Sequence, residues 1–223
     1  MSVSPSVVVF DVNETMSDMS PLAARFIDVG APASMAQLWF ASVLRDGFAL
    51  SVTGSARPFT EIGEESLRVL LPPAQPSRPV EDAVAHIMAG FAELVVHPDI
   101  APGVHRLHEA GLRLVTLSNG ASTVAAKLVA DAGIADRFEQ LLSVEDVGVW
   151  KPERPAYEHA ARACDVPLEQ MLLVAVHPWD LDGAARAGMQ TAWLNRTEAH
   201  YPSVFTPPTH TVASLEELAE QLA

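Results

Sequence analysis

Several polar side chains whose types suit covalent catalysis stand directly after apolar runs of the chain. They are Asp11, Ser118 with Asn119, Lys151 and Asp180. A carboxylate at the mouth of a buried strand can be a nucleophile, a metal ligand or a turn-forming cap, and Asp11 alone fits all three. The combination of two carboxylates, an amine and a hydroxyl–amide pair, each at a strand end, favours a catalytic centre over chance.

The apolar runs themselves predict the elements that position these groups. Val7–Phe10 is short, unbroken and rich in β-branched residues, which is typical of a strand buried on both faces of a parallel sheet. The other predicted strands are residues 112–117, 171–176 and 191–194, with a strand-like segment at Val147–Trp150, and helical stretches cover residues 122–132, 155–163 and 183–187. This alternation predicts an α/β fold with a doubly wound parallel sheet, in which ligands bind beyond the carboxyl ends of the strands.

The stretch between the first and second predicted strands has a different pattern. Four amphipathic helices are predicted there, at Ala23–Val29, Met35–Leu50, Glu61–Leu71 and Val80–Val96. A proline-rich connector at residues 71–79 separates the last two. We therefore expect residues 1–15 and 99–223 to form the α/β core domain, and residues 16–98 to form an inserted helical cap domain.

The composition excludes several classes of partner. The chain has 223 residues, with 14 Lys and Arg against 28 Asp and Glu, and a formal charge of −14. Binding to nucleic acid or to an anionic membrane needs a basic face, so we expect neither partner. The single cysteine, Cys164, allows no disulfide within the chain and no thiolate zinc site. The first residues lack a basic segment ahead of the short apolar run, so we predict no signal peptide and a cytoplasmic protein.

Four short motifs resemble those of the haloacid dehalogenase superfamily. They are Phe10-Asp11-Val12-Asn13-Glu14-Thr15, Leu117-Ser118-Asn119-Gly120, Val149-Trp150-Lys151-Pro152, and Trp179-Asp180 with Gly183-Ala184. Within that superfamily the chain resembles the (S)-2-haloacid dehalogenases over nearly its whole length, helical cap included. The resemblance implies a Rossmann-like core with an inserted cap, and a hydrolase that cleaves the carbon–halogen bond of a short 2-halo carboxylic acid.

Two positions distinguish this activity from the phosphatases of the superfamily. The phosphatases place an acid two residues after the nucleophile to protonate the leaving alkoxide, whereas here that residue is Asn13. A departing halide needs no proton, so the acid is dispensable in a dehalogenase. The earlier of the acidic Mg²⁺ ligands of the phosphatases aligns with Ala175. We therefore expect no metal and no cofactor.

The resemblance also implies the roles of the catalytic groups. Asp11 attacks the halogen-bearing carbon, and water then hydrolyses the resulting aspartyl ester. Lys151 keeps Asp11 ionised, and Asp180 positions or activates the water. Ser118, with the amide hydrogens of Asn119 and Gly120, binds the substrate carboxylate. Thr15 either orients Asp11 or caps the next turn.

Further positions match the family with some departures. Trp179 and Phe59 correspond to aromatic residues that line the substrate site, and Tyr157 to a residue near the carboxylate. Phe40 follows Leu38-Trp39, where the family has an arginine that cradles the halide, so the donor to the leaving group is missing at this position, and Arg57, just before Phe59, is another possible donor. His177 replaces an asparagine of the water site. It is either a general base oriented by Asp180 or a structural substitute for the asparagine's hydrogen bonds.

Three functions are consistent with the sequence. The leading one is a dehalogenase that takes a small-molecule carboxylate. The second is a Mg²⁺-dependent phosphatase of a small metabolite, opposed by Asn13 and Ala175. The third is a diverged member with a binding role and no catalysis, favoured by Phe40 and by Ala175, which stands where the family has a serine that supports the nucleophile. A homodimer formed through the cap helices would fit the resemblance.

Overall fold

The computed structural model of the chain describes residues 4–222. Its strands are β1 (Val7–Phe10), β2 (Arg113–Ser118), β3 (Gln140–Ser143), β4 (Met171–Ala175), β5 (Gln190–Leu194) and β6 (His210–Val212). Its α-helices are α1 (Leu22–Asp28), α2 (Met35–Val52), α3 (Phe59–Ala74), α4 (Val80–Ala92), α5 (Ile100–Glu109), α6 (Ser122–Asp131), α7 (Arg154–Cys164), α8 (Pro178–Ala187) and α9 (Leu215–Leu222). No helix within this range is both long and apolar enough to cross a membrane.

The strands form one parallel sheet in the order β3-β2-β1-β4-β5-β6. Phe10 at the end of β1 pairs with Thr116 of β2 on one side and with Val174 of β4 on the other. The chain therefore winds outward from β1 in one direction and then, from β4, in the other. This reversal confirms the predicted doubly wound sheet and places its topological switch point between β1 and β4, where open α/β sheets bind their ligands.

Burial explains why the first strand is so uniformly apolar. Val7–Phe10 are all 0% exposed, because neighbouring strands cover both edges and helices cover both faces. Val8 and Phe10 belong to one hydrophobic core cluster with residues of α5, α6 and α9. The carboxyl end of β1 is consequently rigid, and the residue that follows it has a fixed position.

The described chain divides into two units, after Ser17 and after Leu94. The sequence had placed these divisions after residues 15 and 98. The unit made by residues 18–94 contains α1 to α4 and is held by an aromatic cluster. Phe59 stacks on Phe91 with ring centroids 5.1 Å apart, and Trp39 meets Phe91 edge-on at 5.7 Å. The Trp39 indole also donates to the Gly63 carbonyl at 2.9 Å, which links α2 to α3.

Three local predictions differ from the structure. Residues 147–150 are not a strand, because the chain makes a 3₁₀ turn at Val144–Asp146 and a further turn at Gly148, whose φ is +68°. The strand that precedes Lys151 is instead β3, which the sequence did not predict. The strand β6 was also missed.

Candidate active site

The predicted polar residues of the α/β unit converge at the carboxyl ends of β1, β2 and β4. Asp11 follows β1 directly, and Ser118 is the last residue of β2. Asp180 lies in the first turn of α8, which begins three residues after β4. Since β1 and β4 are neighbours at the switch point, Asp11 and the start of α8 face the same crevice.

Lys151 joins the two buried carboxylates of this centre. Its Nζ donates to Asp11 Oδ1 at 2.8 Å and to Asp180 Oδ2 at 2.6 Å. Lys151 and Asp180 are both 0% exposed, and Asp11 is 4% exposed. An isolated charge would be very costly at such depth, so the three side chains are stable there only as a group.

Opposing effects set the protonation states of the group. Burial by itself would raise the pKa of Asp11, but the Lys151 ammonium and a hydrogen bond from His177 outweigh it and hold that pKa well below its usual range. Burial would lower the pKa of Lys151, yet the two carboxylates raise it above its ordinary value. The pKa of Asp180 is raised, chiefly by burial and by the Asp11 charge. Asp11 is therefore an anion at neutral pH, and Lys151 is a cation.

Thr15 orients Asp11 rather than capping a helix. Its Oγ1 donates to Asp11 Oδ2 at 2.6 Å and accepts the Val176 N–H at 3.1 Å. The hydroxyl thus connects the residue after β1 to the residue after β4. Of the two roles left open by the sequence, the geometry supports the first.

His177 lies between two carboxylates. Its Nδ1 is 3.1 Å from Asp11 Oδ2, and its Nε2 is 2.8 Å from Glu14 Oε2. Ionised carboxylate oxygens only accept hydrogen bonds, so both ring nitrogens carry protons. Burial would lower the pKa of His177, but its bonds to Asp11 and Glu14 raise it to about 9. An imidazolium has no free lone pair, so the general-base hypothesis does not fit this state, whereas a hydrogen-bonding role does.

Glu14 is part of the site, although the sequence assigned it no role. Its φ of +61° is unusual for a residue with a side chain. Its N–H donates to Ser17 Oγ at 3.3 Å, and its carbonyl oxygen is 3.1 Å from His97 Nε2. These contacts hold the backbone in the conformation that directs the carboxylate to His177. The only signal in the sequence for the contact between Glu14 and His177 is the position of Glu14, three residues after Asp11.

Tyr157 contacts Asp180. Its hydroxyl lies 2.7 Å from Asp180 Oδ1 and donates to it, and burial together with that carboxylate raises the Tyr157 pKa well above its usual value. Gly183 makes this contact possible, because a Cβ there would lie 2.6 Å from the Tyr157 hydroxyl and 2.6 Å from Pro152 Cβ. The placement of Tyr157 near the substrate carboxylate stays a prediction, and its hydrogen bond to Asp180 is a contact that the sequence did not predict.

Ser118 and Asn119 have more internal contacts than predicted. Ser118 Oγ accepts the Gly120 N–H at 2.9 Å, so that amide is already engaged and not directed at a substrate. The Asn119 side chain accepts the Lys151 N–H at 2.9 Å and donates to the Lys151 carbonyl at 3.3 Å. Asn119 therefore fixes the backbone of Lys151, while the Ser118 hydroxyl hydrogen is still able to donate.

The aromatic candidates fall in both units. Trp179 is half-buried, and its ring lies 5.1 Å from the His177 ring at an angle of 30°. Phe40 and Phe59 are buried in the helical unit, with ring centroids 6.2 Å apart. Within residues 4–222, no group of three or more His, Cys, Asp or Glu side chains is arranged to hold a metal ion.

Comparisons with known proteins agree with this architecture. Residues 5–188 match the family model of haloacid dehalogenase-like hydrolases. The chain is 29% identical over 217 residues to an (S)-2-haloacid dehalogenase of Pseudomonas putida, covering 96% of this chain and 95% of that protein.

Two solved structures are similar over almost the full length. One is a dehalogenase with an intermediate complex, with a TM-score of 0.92, 26% identity, and coverage of 100% of this chain and 99% of that chain. The other is an L-2-haloacid dehalogenase, with a TM-score of 0.92, 28% identity and coverage of 99% of both chains. With its family model, its sheet order and its motif residues in agreement, the chain belongs to the haloacid dehalogenase-like hydrolases.

Proposed function

We propose that this protein is a hydrolase of the (S)-2-haloacid dehalogenase type, which converts a short 2-halo carboxylic acid into the 2-hydroxy acid. The observation that carries the proposal is the buried, ionised Asp11 at the switch point, held by Lys151, Thr15 and His177. The names of the relatives, (S)-2-haloacid and L-2-haloacid dehalogenases, support the choice of substrate.

In the first step, Asp11 attacks the carbon that bears the halogen. The new C–O bond forms as the C–halogen bond breaks, and the halide leaves with the bonding electron pair. The Lys151 ammonium keeps Asp11 anionic without protonating it. Halide needs no proton to leave, which agrees with the neutral amide of Asn13 at the position where the phosphatases have an acid.

In the second step, water hydrolyses the aspartyl ester. Asp180 accepts a proton from the water, whose oxygen adds to Cγ of Asp11. The bond between Cγ and the ester oxygen then breaks, and Asp180 gives its proton, by way of Lys151, to the product alkoxide, which leaves as the hydroxy acid. The proton that stays on the new Asp11 carboxyl goes to solvent. Tyr157 and Lys151 each bond one oxygen of Asp180 and so fix its orientation. The heavy oxygen of labelled water is thus expected in the Asp11 carboxylate.

Substrate recognition follows from groups around the same crevice. We assign the substrate carboxylate to the Ser118 hydroxyl and the Asn119 backbone N–H, close to the start of α6. Trp179 provides an apolar wall of this crevice in the proposal, and the substrate-binding roles of Phe40 and Phe59 stay predictions from the sequence. A cytoplasmic location and a homodimer stay predictions from the sequence.

Halide release tests the proposal. We expect the protein to release chloride from (S)-2-chloropropionate in buffer containing a metal chelator. Asp11→Asn should abolish release, while its circular dichroism spectrum stays unchanged. Asp136→Asn, at an exposed carboxylate paired with Arg137, is the matched control and should retain full activity. Turnover of p-nitrophenyl phosphate that requires Mg²⁺, without halide release from any 2-halo acid, would contradict the proposal.

A further inference from the structure

We propose that the side-chain amide of Asn13 binds the substrate carboxylate, as a third donor beside the Ser118 hydroxyl and the Asn119 backbone N–H. This inference rests on the function proposed above and deepens it. It makes Asn13, two residues after the nucleophile, a residue that helps the protein to select acids as substrates.

Asn13 has a buried side-chain amide that the protein itself does not use. The residue is only 6% exposed, and within residues 4–222 its amide has no hydrogen-bond partner. The turn that carries it is closed by a hydrogen bond from the Met16 N–H to the Val12 carbonyl at 2.9 Å, so its backbone position is fixed. A buried amide without partners costs free energy, because it has given up hydrogen bonds to water. Neither amide atom belongs to the fully enclosed polar atoms without partners in this range, so solvent reaches the amide and a ligand can too.

The amide of Asn13 and the hydroxyl of Ser118 border the same small space. A Cβ built on Gly120 would lie 3.6 Å from Asn13 Nδ2 and 3.4 Å from Ser118 Oγ. Since Gly120 has no such atom, this space is open to a ligand. Gly120 itself is held in place, because its carbonyl accepts the Ser143 hydroxyl at 2.9 Å and its N–H donates to Ser118 Oγ at 2.9 Å. Two polar groups of fixed position therefore face one site.

The hydrogen-bonding capacity of these groups favours an anion. The Ser118 oxygen already accepts the Gly120 N–H, so the hydroxyl hydrogen is the part left for a ligand. The Asn13 amide has two N–H donors, and the Asn119 backbone adds a third group that only donates. An ionised carboxylate only accepts hydrogen bonds, and its two oxygens can receive several donors at once. The carboxylate of the substrate is thus the group that matches this space.

Steady-state kinetics measure the contribution of the Asn13 donor. Asn13→Leu keeps nearly the same side-chain volume and removes the donor. We expect its KM for (S)-2-chloropropionate to rise about 10–100-fold, as for the loss of a hydrogen bond to a charged group, with kcat little changed. Asn13→Asp has the same shape but places a negative charge beside the substrate carboxylate, so its KM should rise further.

Binding of propionate measures the same contact without turnover, because propionate has the carboxylate but no halogen. Isothermal titration should show that the parent protein binds propionate, and that the dissociation constant rises about 10–100-fold in Asn13→Leu. Gly120→Ala is an independent variant. Its methyl group would stand 3.4 Å and 3.6 Å from its neighbours, which is ordinary contact, and would fill the space proposed for the carboxylate. It should weaken propionate binding in a protein that still folds.

Unfolding in urea separates a binding role of Asn13 from a structural one. Asn13→Leu removes no hydrogen bond within the described chain, so its free energy of unfolding should be equal to that of the parent or higher. Asn195→Leu is the matched control. Asn195 donates to the Ala199 carbonyl at 3.1 Å and accepts the Ala199 N–H at 2.8 Å. Its replacement should lower the free energy of unfolding and leave KM unchanged.

Three outcomes would overturn the inference. They are a parent protein that does not bind propionate, an Asn13→Leu variant with the KM and the propionate affinity of the parent, and a rise in KM that comes with a lower free energy of unfolding. In contrast, propionate binding that weakens in Asn13→Leu, in a parent protein that releases halide from no 2-halo acid, would refute the proposed function and leave Asn13 as a donor to a bound carboxylate.

Discussion

The placement of His177 between two carboxylates predicts a loss of stability in alkaline solution. The folded state raises the His177 pKa from 6.5 to about 9, and the side chain is only 11% exposed, so solvent screens it little. At 1.36 kcal/mol for each pKa unit, the difference corresponds to about 3 kcal/mol of free energy of unfolding. Because the folded pKa is the higher one, this contribution is complete below about pH 6.5 and is lost as pH rises through about 9.

Urea unfolding of the parent protein and of His177→Asn, at several values between about pH 6 and pH 10, measures this contribution. The difference between the free energies of unfolding of the two proteins at each pH cancels the contributions of the other titrating groups that are the same in both. The advantage of the parent over the variant should shrink by about 3 kcal/mol across the series. A difference that stays constant with pH would show that folding does not shift the His177 pKa, and the cationic state assigned to His177 at neutral pH would then be wrong.

Two further substitutions test the contacts around the two catalytic carboxylates. Lys151→Met leaves Asp11 and Asp180 buried without their shared cation. Halide release should therefore disappear, and urea unfolding should show a free energy of unfolding lower by about 3–5 kcal/mol. A near-normal rate of halide release or a near-normal free energy of unfolding would refute the role of the lysine. Gly183→Ala places a methyl group 2.6 Å from the Tyr157 hydroxyl, so it should lower the free energy of unfolding by about 1–3 kcal/mol and reduce activity. An unchanged melting temperature would contradict the close contact.

The main strands were predictable because their sequence patterns are strong. Val7–Phe10 and Met171–Ala175 are unbroken apolar runs, as burial on two faces requires, and the runs that became β2 and β5 are mostly apolar and almost entirely buried. The strand β3 was not predicted because it lies at the edge of the sheet and includes half-buried positions. The strand β6 was not predicted because it has only three residues. An edge strand needs no continuous apolar run, so its pattern is weak.

The catalytic residues that lie at the ends of apolar segments could be predicted from the sequence. Asp11, Lys151 and Asp180 were found because each is a charged side chain after an apolar segment, and the structure brings all three within hydrogen-bonding distance. The partners of His177 and Tyr157 were not predictable. They depend on the left-handed backbone at Glu14 and on the approach permitted by Gly183, which are properties of the folded chain and not of residue spacing.

The two points where the chain passes between its units are bound to each other. Ser17 and Val96 form an isolated antiparallel bridge, and the His97 N–H donates to the Met16 carbonyl at 2.9 Å. The ends of the helical insertion are therefore adjacent in space, so a very short peptide could reconnect the α/β unit in its absence. A segment whose two ends meet in this way can be exchanged as a unit: evolution or protein engineering can replace residues 18–94 as one continuous segment and leave the sheet of the α/β unit unchanged.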